Sequence, residues 1–302
     1  MLKMVQKECK TEHGTVCYWV NEFVEGRKNL VFLPGLTASS RLFEKQTEYF
    51  SSFFNCFVWD APGHAKSRPF NLNISLDQKA QILFSILQTE NFSKPVLIGQ
   101  SMGGYVAQSF MQLFPGEAAG FVSIDSCPLQ KKYATAFEIW ALRNVEPVFR
   151  LYPWKSLLKA GAAGCSTTRY GQNIMFQMMS EYDKDYYSVL SGAGFRMLAD
   201  AYASDRPYII DCPAILICGT RDRAGSAKRY NTRWVKETGL KISNLELCGV
   251  KDWITEEGTR YIVFLYKTGT YSGTVKSSSE GKVFWMPLEE LKRAILAHGQ
   301  DA

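Results

Sequence analysis

The stretch Pro95-Val-Leu-Ile-Gly-Gln-Ser101-Met-Gly-Gly-Tyr105 constrains this chain more than any other. A short apolar run reads as a strand, an apolar helix pattern begins near Tyr105, and Gly99-Gln100-Ser101-Met102-Gly103 joins them. A strand that turns into a helix within so few residues forces its central residue into a strained backbone conformation. Its neighbours must then be almost free of side chains, a demand met by Gly99, Gly103 and Gly104. A G-x-S-x-G pattern between a strand and a helix presents the serine hydroxyl at the edge of a sheet, where it can act as a nucleophile. An ordinary glycine-rich connection is the plainer reading, but it leaves the flanking strand and helix as coincidence.

The rest of the chain alternates in the same way. Val16 to Phe23 reads as a hairpin strand. Asn29-Leu-Val-Phe-Leu-Pro34-Gly35 is a continuous apolar run, as in a strand buried on both faces. A helix pattern extends to Phe50, Phe53 to Asp60 is strand-like, and Leu76 to Leu87 has helical spacing. Gly120 to Asp125 and Cys212 to Gly219 are further apolar strands. Arg229 to Glu237 suits a helix and Leu240 to Gly249 a strand. Strands alternating with helices imply a parallel sheet. Between Pro128 and Pro207 the rhythm changes to aromatic- and Met-rich helical stretches. Such an insertion over the sheet lines a pocket with some of Trp140, Phe149, Trp154, Phe176 and Met178, while most of these pack among themselves.

Three signatures occur in order. Leu33-Pro34-Gly35-Leu36 resembles the loop after the third strand of the α/β-hydrolase superfamily. Asp60-Ala-Pro-Gly-His64-Ala-Lys-Ser67 resembles its D-x-P-G-H-G-x-S turn. Gly99 to Gly103 resembles its nucleophile elbow, and Gly219-Thr-Arg-Asp222 lies where the family places its acid. The resemblance covers about residues 15–249. It implies an α/β-hydrolase fold: a mostly parallel sheet with helices on both faces and a helical lid at about 128–207. It implies that Ser101 attacks a carbonyl carbon and that Asp222 orients a histidine base. The backbone N–H groups of Leu36 and Met102 would hold the oxyanion, each worth about 3 kcal/mol. Asp125 is a second candidate for the acid, or a residue capping the start of the lid.

The histidine does not follow the pattern. The family places it just after the last strand, where Leu245-Glu-Leu-Cys-Gly249-Val250 puts Val250, which cannot accept a proton. The chain has 3 His. His13 lies before the first expected strand, His64 belongs to the D-x-P-G-H turn and is expected to hydrogen-bond its own loop, and His298 lies near the C-terminus. None is a natural base.

From about residue 235 the chain resembles the C-terminal half of a Nudix hydrolase, through Trp253 to Lys267 and Gly281 to Leu291. These read as two strands, a polar hairpin region and a final helix after Pro287. The expected domains are therefore a hydrolase domain at 1–249 and a small β-β-α Nudix-like segment at 250–302. That family holds Mg²⁺ with glutamates. Laid on this chain, Gly219 and Arg233 fall at the spacing of its box, but Gly225 and Trp234 stand where glutamates are needed, and Glu237 alone remains. Glu256 and Glu257 read as a solvated turn, so no metal and no cofactor is expected.

Net charge is +6, with Lys and Arg scattered along the chain, so neither nucleic acid nor membrane is expected as a partner. No apolar run is long enough to span a bilayer, and the first residues do not read as a signal peptide. The 8 Cys include no C-x-x-C pair, which favours free thiols in a reducing cytoplasm. The resulting expectation is a hydrolase acting on an ester or related small acyl compound through Ser101, impaired by Val250. The rivals are a hydrolase fold that binds a small molecule without turnover, and a remnant Mg²⁺-dependent nucleotide pyrophosphohydrolase.

Overall fold

The structure is a computed structural model. It describes residues 3–206, 210 and 212–218, together with the strand backbone of 241–243, 246–254, 260–267 and 270–272. The chain divides into two compact units, Met1–Asn231 and Thr232–Ala302.

The first unit is built on a seven-stranded sheet. Its strands are β1 (Val5–Thr11), β2 (Gly14–Val20), β3 (Asn29–Leu33), β4 (Asn55–Trp59), β5 (Val96–Gln100), β6 (Gly120–Ile124) and β7 (Ala214–Ile217). They lie in the order β1-β2-β4-β3-β5-β6-β7. β1 and β2 form an antiparallel hairpin, and β2 joins β4 antiparallel. From β4 to β7 all pairs are parallel. Every residue of β3 and β4 is buried, the outcome their unbroken apolar runs dictate. β1 had no strong signal, because most of its side chains are exposed at the sheet edge.

The helices of the core are α1 (Glu44–Phe50), α2 (Leu76–Thr89) and α3 (Met102–Leu113). α2 begins at a capping box in which Ser75 and Gln78 satisfy each other's backbone N–H, the motif that most sharply defines a helix start. α3 buries every residue from Met102 to Met111, so the elbow helix runs through the interior.

Between β6 and β7 stand five helices: α4 (Ala136–Arg143), α5 (Glu146–Leu151), α6 (Trp154–Cys165), α7 (Arg169–Ser180) and α8 (Lys184–Ala203). This is the expected lid. Met178 is buried in a cluster with Ala38, Leu158, Met179 and Tyr182, and Phe149 and Trp154 pack against that cluster. Trp140 and Phe176 face outward instead. The aromatic content of the lid is thus spent largely on packing it together.

The second unit contains β8 (Lys241–Ser243), β9 (Glu246–Ile254), β10 (Arg260–Lys267) and β11 (Thr270–Ser272). β9 pairs antiparallel with β10, and β11 with β8. The single strand expected over 240–249 is therefore two, and the run 253–267 is shared between β9 and β10. β9 continues through Gly249 because the register shifts there: Leu265 pairs with Gly249 and Tyr266 with Leu247, leaving Cys248 as a bulge. A glycine that reads as a strand end is here part of a β-bulge. Val250 consequently lies inside a strand, opposite Phe264, and not in a loop after one. The expected helix at 229–237, the strand near Val283 and the final helix after Pro287 lie outside the described residues.

Candidate active site

Ser101 sits between β5 and α3 with φ 49° and ψ −115°. A non-glycine residue at positive φ is strained and persists only where its surroundings hold it. Those surroundings are tight. A Cβ on Gly103 would overlap the Leu33 carbonyl, one on Gly99 would overlap the backbone of Gly104, and one on Gly104 would overlap the Ser126 hydroxyl. The N–H of Ser101 donates to Ile124 O at 2.8 Å, fastening the turn to the end of β6.

The loop after β3 abuts this turn. A Cβ on Gly35 would stand 3.2 Å from the Ser101 Cβ and 3.1 Å from Gln100 O. Leu36, the next residue, is therefore beside the elbow. Its side chain meets α8, where a Cβ on Gly194 would come 2.6 Å from Leu36 Cδ1. Met102 is the first residue of α3, so its N–H has no acceptor within the helix. The positive end of the helix dipole lies at the same place. A carbonyl oxygen held there would meet the Met102 N–H and a partial positive charge.

The Asp60–Ser67 turn is stabilised from within. Asp60 accepts from the N–H of Ser40 at 2.7 Å and of Lys66 at 3.0 Å. Ser67 donates its hydroxyl to Asp60 O at 2.7 Å and accepts from Cys17 N–H at 2.8 Å. His64 is buried; its Nδ1 contacts Pro62 O at 3.2 Å and its Nε2 has no partner. Burial, with a further push from Lys79, lowers its pKa to about 3. It is a neutral structural ring, as its place in the turn suggested. His13 lies in the β1–β2 turn, with Nε2 at 3.3 Å from Glu12 and 3.4 Å from Gln78. Neither ring is bonded to Ser101.

Asp222, His298 and Glu237 lie outside the described residues, and Val250 belongs to the second unit. Asp125 follows β6 directly, at φ 51°, with its N–H donating to Ile217 O at 2.8 Å. No sequence signal marked Ser126, which is fully buried and donates its hydroxyl to the carbonyl of Ser101 at 2.8 Å. An open groove of about 1000 Å³ runs between Phe70–Gln78 and α8, but its lining includes neither Ser101 nor Leu36. Its arginines are already paired, Arg206 with Asp77 and Arg196 with Glu146.

Of the described cysteines, Cys17, Cys56 and Cys127 are buried and Cys165 is exposed. Burial raises the Cys17 and Cys56 thiols to about 11 and about 12, so neither is a nucleophile at neutral pH. Among the described residues no group of three or more His, Cys, Asp or Glu is placed to hold a metal ion. No described helix is long and apolar enough to cross a membrane.

A parallel sheet extended by an antiparallel hairpin, a glycine-walled serine turn after β5 and a helical lid before β7 define the α/β-hydrolase fold. The family model for the alpha/beta hydrolase fold matches residues 28–150. The chain is similar to an (E)-2-((N-methylformamido)methylene)succinate hydrolase of Acinetobacter baylyi, at 24% identity over 237 residues, covering 74% of this chain and 83% of that protein. It is also similar to a pimeloyl-[acyl-carrier protein] methyl ester esterase of Wigglesworthia glossinidia brevipalpis, at 25% identity over 103 residues, 34% of this chain and 38% of that one. Among solved structures, a carboxylesterase of the thaumarchaeon Nitrososphaera gargenis superposes with a TM-score of 0.60 at 12% identity, covering 76% of this chain and 86% of that one.

Proposed function

We propose that this protein is a serine-dependent acyl hydrolase, acting on an ester or related small acyl compound with Ser101 as nucleophile. The observation that carries the reading is the backbone of Ser101 at φ 49° and ψ −115°. Strain of this kind costs about 1–3 kcal/mol and is retained where a chemical task needs it. The hydroxyl would attack the carbonyl carbon, and the N–H groups of Met102 and Leu36 would receive the charge that develops on oxygen. Asp222 is assigned the acid's role by its place in the Gly-Thr-Arg-Asp pattern. The esterase and hydrolase names of the similar proteins support the substrate class.

The base is the weak member. His64 is neutral and bonded within its own turn, His13 is engaged with Glu12 and Gln78, and Val250 stands at the sequence position where the family pattern has its histidine. An enzyme lacking one triad member retains about 10³–10⁴-fold acceleration from the oxyanion hole and binding. Slow turnover is therefore the expectation. A binding role without turnover is the second reading, favoured by the same engagement of both histidines.

A fluorophosphonate probe and p-nitrophenyl acetate separate these readings. Wild type should take one label, on Ser101, and release p-nitrophenol slowly, and Ser101→Ala should lose both. Hydrolysis persisting at the wild-type rate in Ser101→Ala would refute the nucleophile. A folded wild type that takes no label favours the binding role.

A further inference from the structure

The carbonyl oxygen of Ser101 and the N–H of Met102 are the two ends of one peptide unit. That unit is planar and trans, so the two groups point in opposite directions. Whatever holds the oxygen therefore aims the N–H. Two donors hold it: the N–H of Gly104 at 3.0 Å and the hydroxyl of Ser126 at 2.8 Å.

Ser126 is placed with some force. The chain turns at Asp125, a non-glycine residue at φ 51°, and carries Ser126 back beneath the start of α3. The residues that follow are fastened to that helix. Cys127 N–H reaches Tyr105 Oη at 3.3 Å, Gln108 donates to Cys127 O at 2.9 Å, and Leu129 N–H reaches Gln108 Oε1 at 3.0 Å. Gly104 leaves room for the hydroxyl, since a Cβ there would overlap it. Ser126 itself has no exposed surface, so water does not compete for the bond.

We propose that Ser126 is a positioning residue for the oxyanion donor. By holding the Ser101 carbonyl it fixes the plane of the Ser101–Met102 peptide, and with it the direction of the Met102 N–H. It also polarises that amide, because a carbonyl that accepts a hydrogen bond makes the N–H of the same unit a better donor. The strained ψ of Ser101 sets this plane, and a strained torsion relaxes when its restraints are removed. The inference rests on the nucleophile reading of Ser101 and adds to it the residue that orients the charge-stabilising group.

The test compares Ser126→Ala with Gln108→Leu, which loosens the same loop without touching the Ser101 carbonyl. Losing a whole oxyanion donor costs about 10²–10³ in kcat, so misaiming one should slow labelling of Ser101 and kcat by about ten- to a hundredfold, with KM within about twofold. Gln108→Leu should lower the melting temperature at least as far as Ser126→Ala and leave labelling within about threefold of wild type. Labelling of Ser126→Ala at the wild-type rate overturns the proposal, and so does a loss carried by KM or matched by Gln108→Leu. An unlabelled wild type refutes the nucleophile reading instead. The geometric claim then stands or falls on hydrogen exchange of the peptide spanning Ser101–Gly104, which should quicken in Ser126→Ala. Unchanged exchange overturns it whatever the activity.

Discussion

Gly103 lies flat against the carbonyl of Leu33, so that any side chain on it would overlap that oxygen. This contact joins the end of β3 to the first turn of α3 and sets the distance between the Leu36 loop and the elbow. A backbone oxygen in a central strand cannot move aside. Gly103→Ala should therefore cost about 3 kcal/mol or more, at the upper end of overpacking penalties. At Gly35 the nearest atom is the amide oxygen at the end of the Gln100 side chain, which can rotate away. Gly35→Ala should cost about 1 kcal/mol. Urea denaturation gives both values, and equal losses would contradict the distinction.

The non-glycine residues at positive φ near the site include Ser101 at 49° and Ala65 at 38°, besides Thr37 at 64° and Asp125 at 51°. Ala65 stands where the D-x-P-G-H-G-x-S pattern has its second glycine. Glycine removes the steric cost of this backbone region at some cost in unfolded-chain entropy, for a net gain of about 0.5–1 kcal/mol. Ala65→Gly should raise stability by that amount and leave labelling of Ser101 intact. Ser101→Gly should also raise stability while abolishing labelling. A fall in stability in both variants would remove the argument that these residues are strained.

The lid is fastened to the Asp60–Ser67 turn at one corner. Tyr182 accepts from Ala65 N–H at 3.0 Å, and Tyr186 donates to Gly63 O at 2.8 Å. The two rings are parallel within 2°, and the Arg68 guanidinium lies 4.7 Å and 5.4 Å from their centroids. Tyr182 is buried, so Tyr182→Phe leaves the Ala65 N–H without an acceptor and should cost about 1–3 kcal/mol. Tyr186 is half-buried, and Tyr186→Phe should cost about 1 kcal/mol or less, as water can reach the carbonyl. Denaturant titration of the two variants checks the order, and a larger loss in Tyr186→Phe would reverse it.

The sheet, the elbow and the lid were legible because each rests on a local pattern. Buried strands such as Asn29–Leu33 are continuous apolar runs, and the elbow needs glycines at fixed offsets from Ser101. What was missed depends on contacts distant in sequence. β1 is amphipathic only weakly, and its place is decided by pairing with β2. Ser126 acts on Ser101 across 25 positions, and nothing in Ile-Asp-Ser-Cys marks it. Gly249 read as the end of a strand because a bulge and a break look alike until the partner strand is known.

A buried pair beneath the Pro62 carbonyl should shape stability against pH. Lys79 Nζ lies 3.5 Å from Pro62 O, which His64 Nδ1 also contacts at 3.2 Å. Burial lowers Lys79 from 10.5 to about 8, and burial with Lys79 lowers His64 from 6.5 to about 3. Both pKa values are depressed in the folded state, so within each window the unfolded chain binds the extra proton and stability rises with pH. For Lys79 the window is about 8 to 10.5, and the penalty is fully present below it. At about 1.4 kcal/mol per pKa unit, Lys79→Met should be about 3 kcal/mol more stable than wild type at pH 7 and should lose that slope. For His64 stability is lost as pH falls from 6.5 towards about 3. Asp60, whose buried carboxyl is raised, acts in the opposite sense, so the informative quantity is the difference between His64→Asn and wild type. The asparagine amide keeps a donor for Pro62 O and cannot take up a proton. Denaturation midpoints across pH 4 to 10 should therefore show a flatter acid limb in His64→Asn and a flatter alkaline limb in Lys79→Met. Wild-type slopes in both variants would refute the buried, depressed pair.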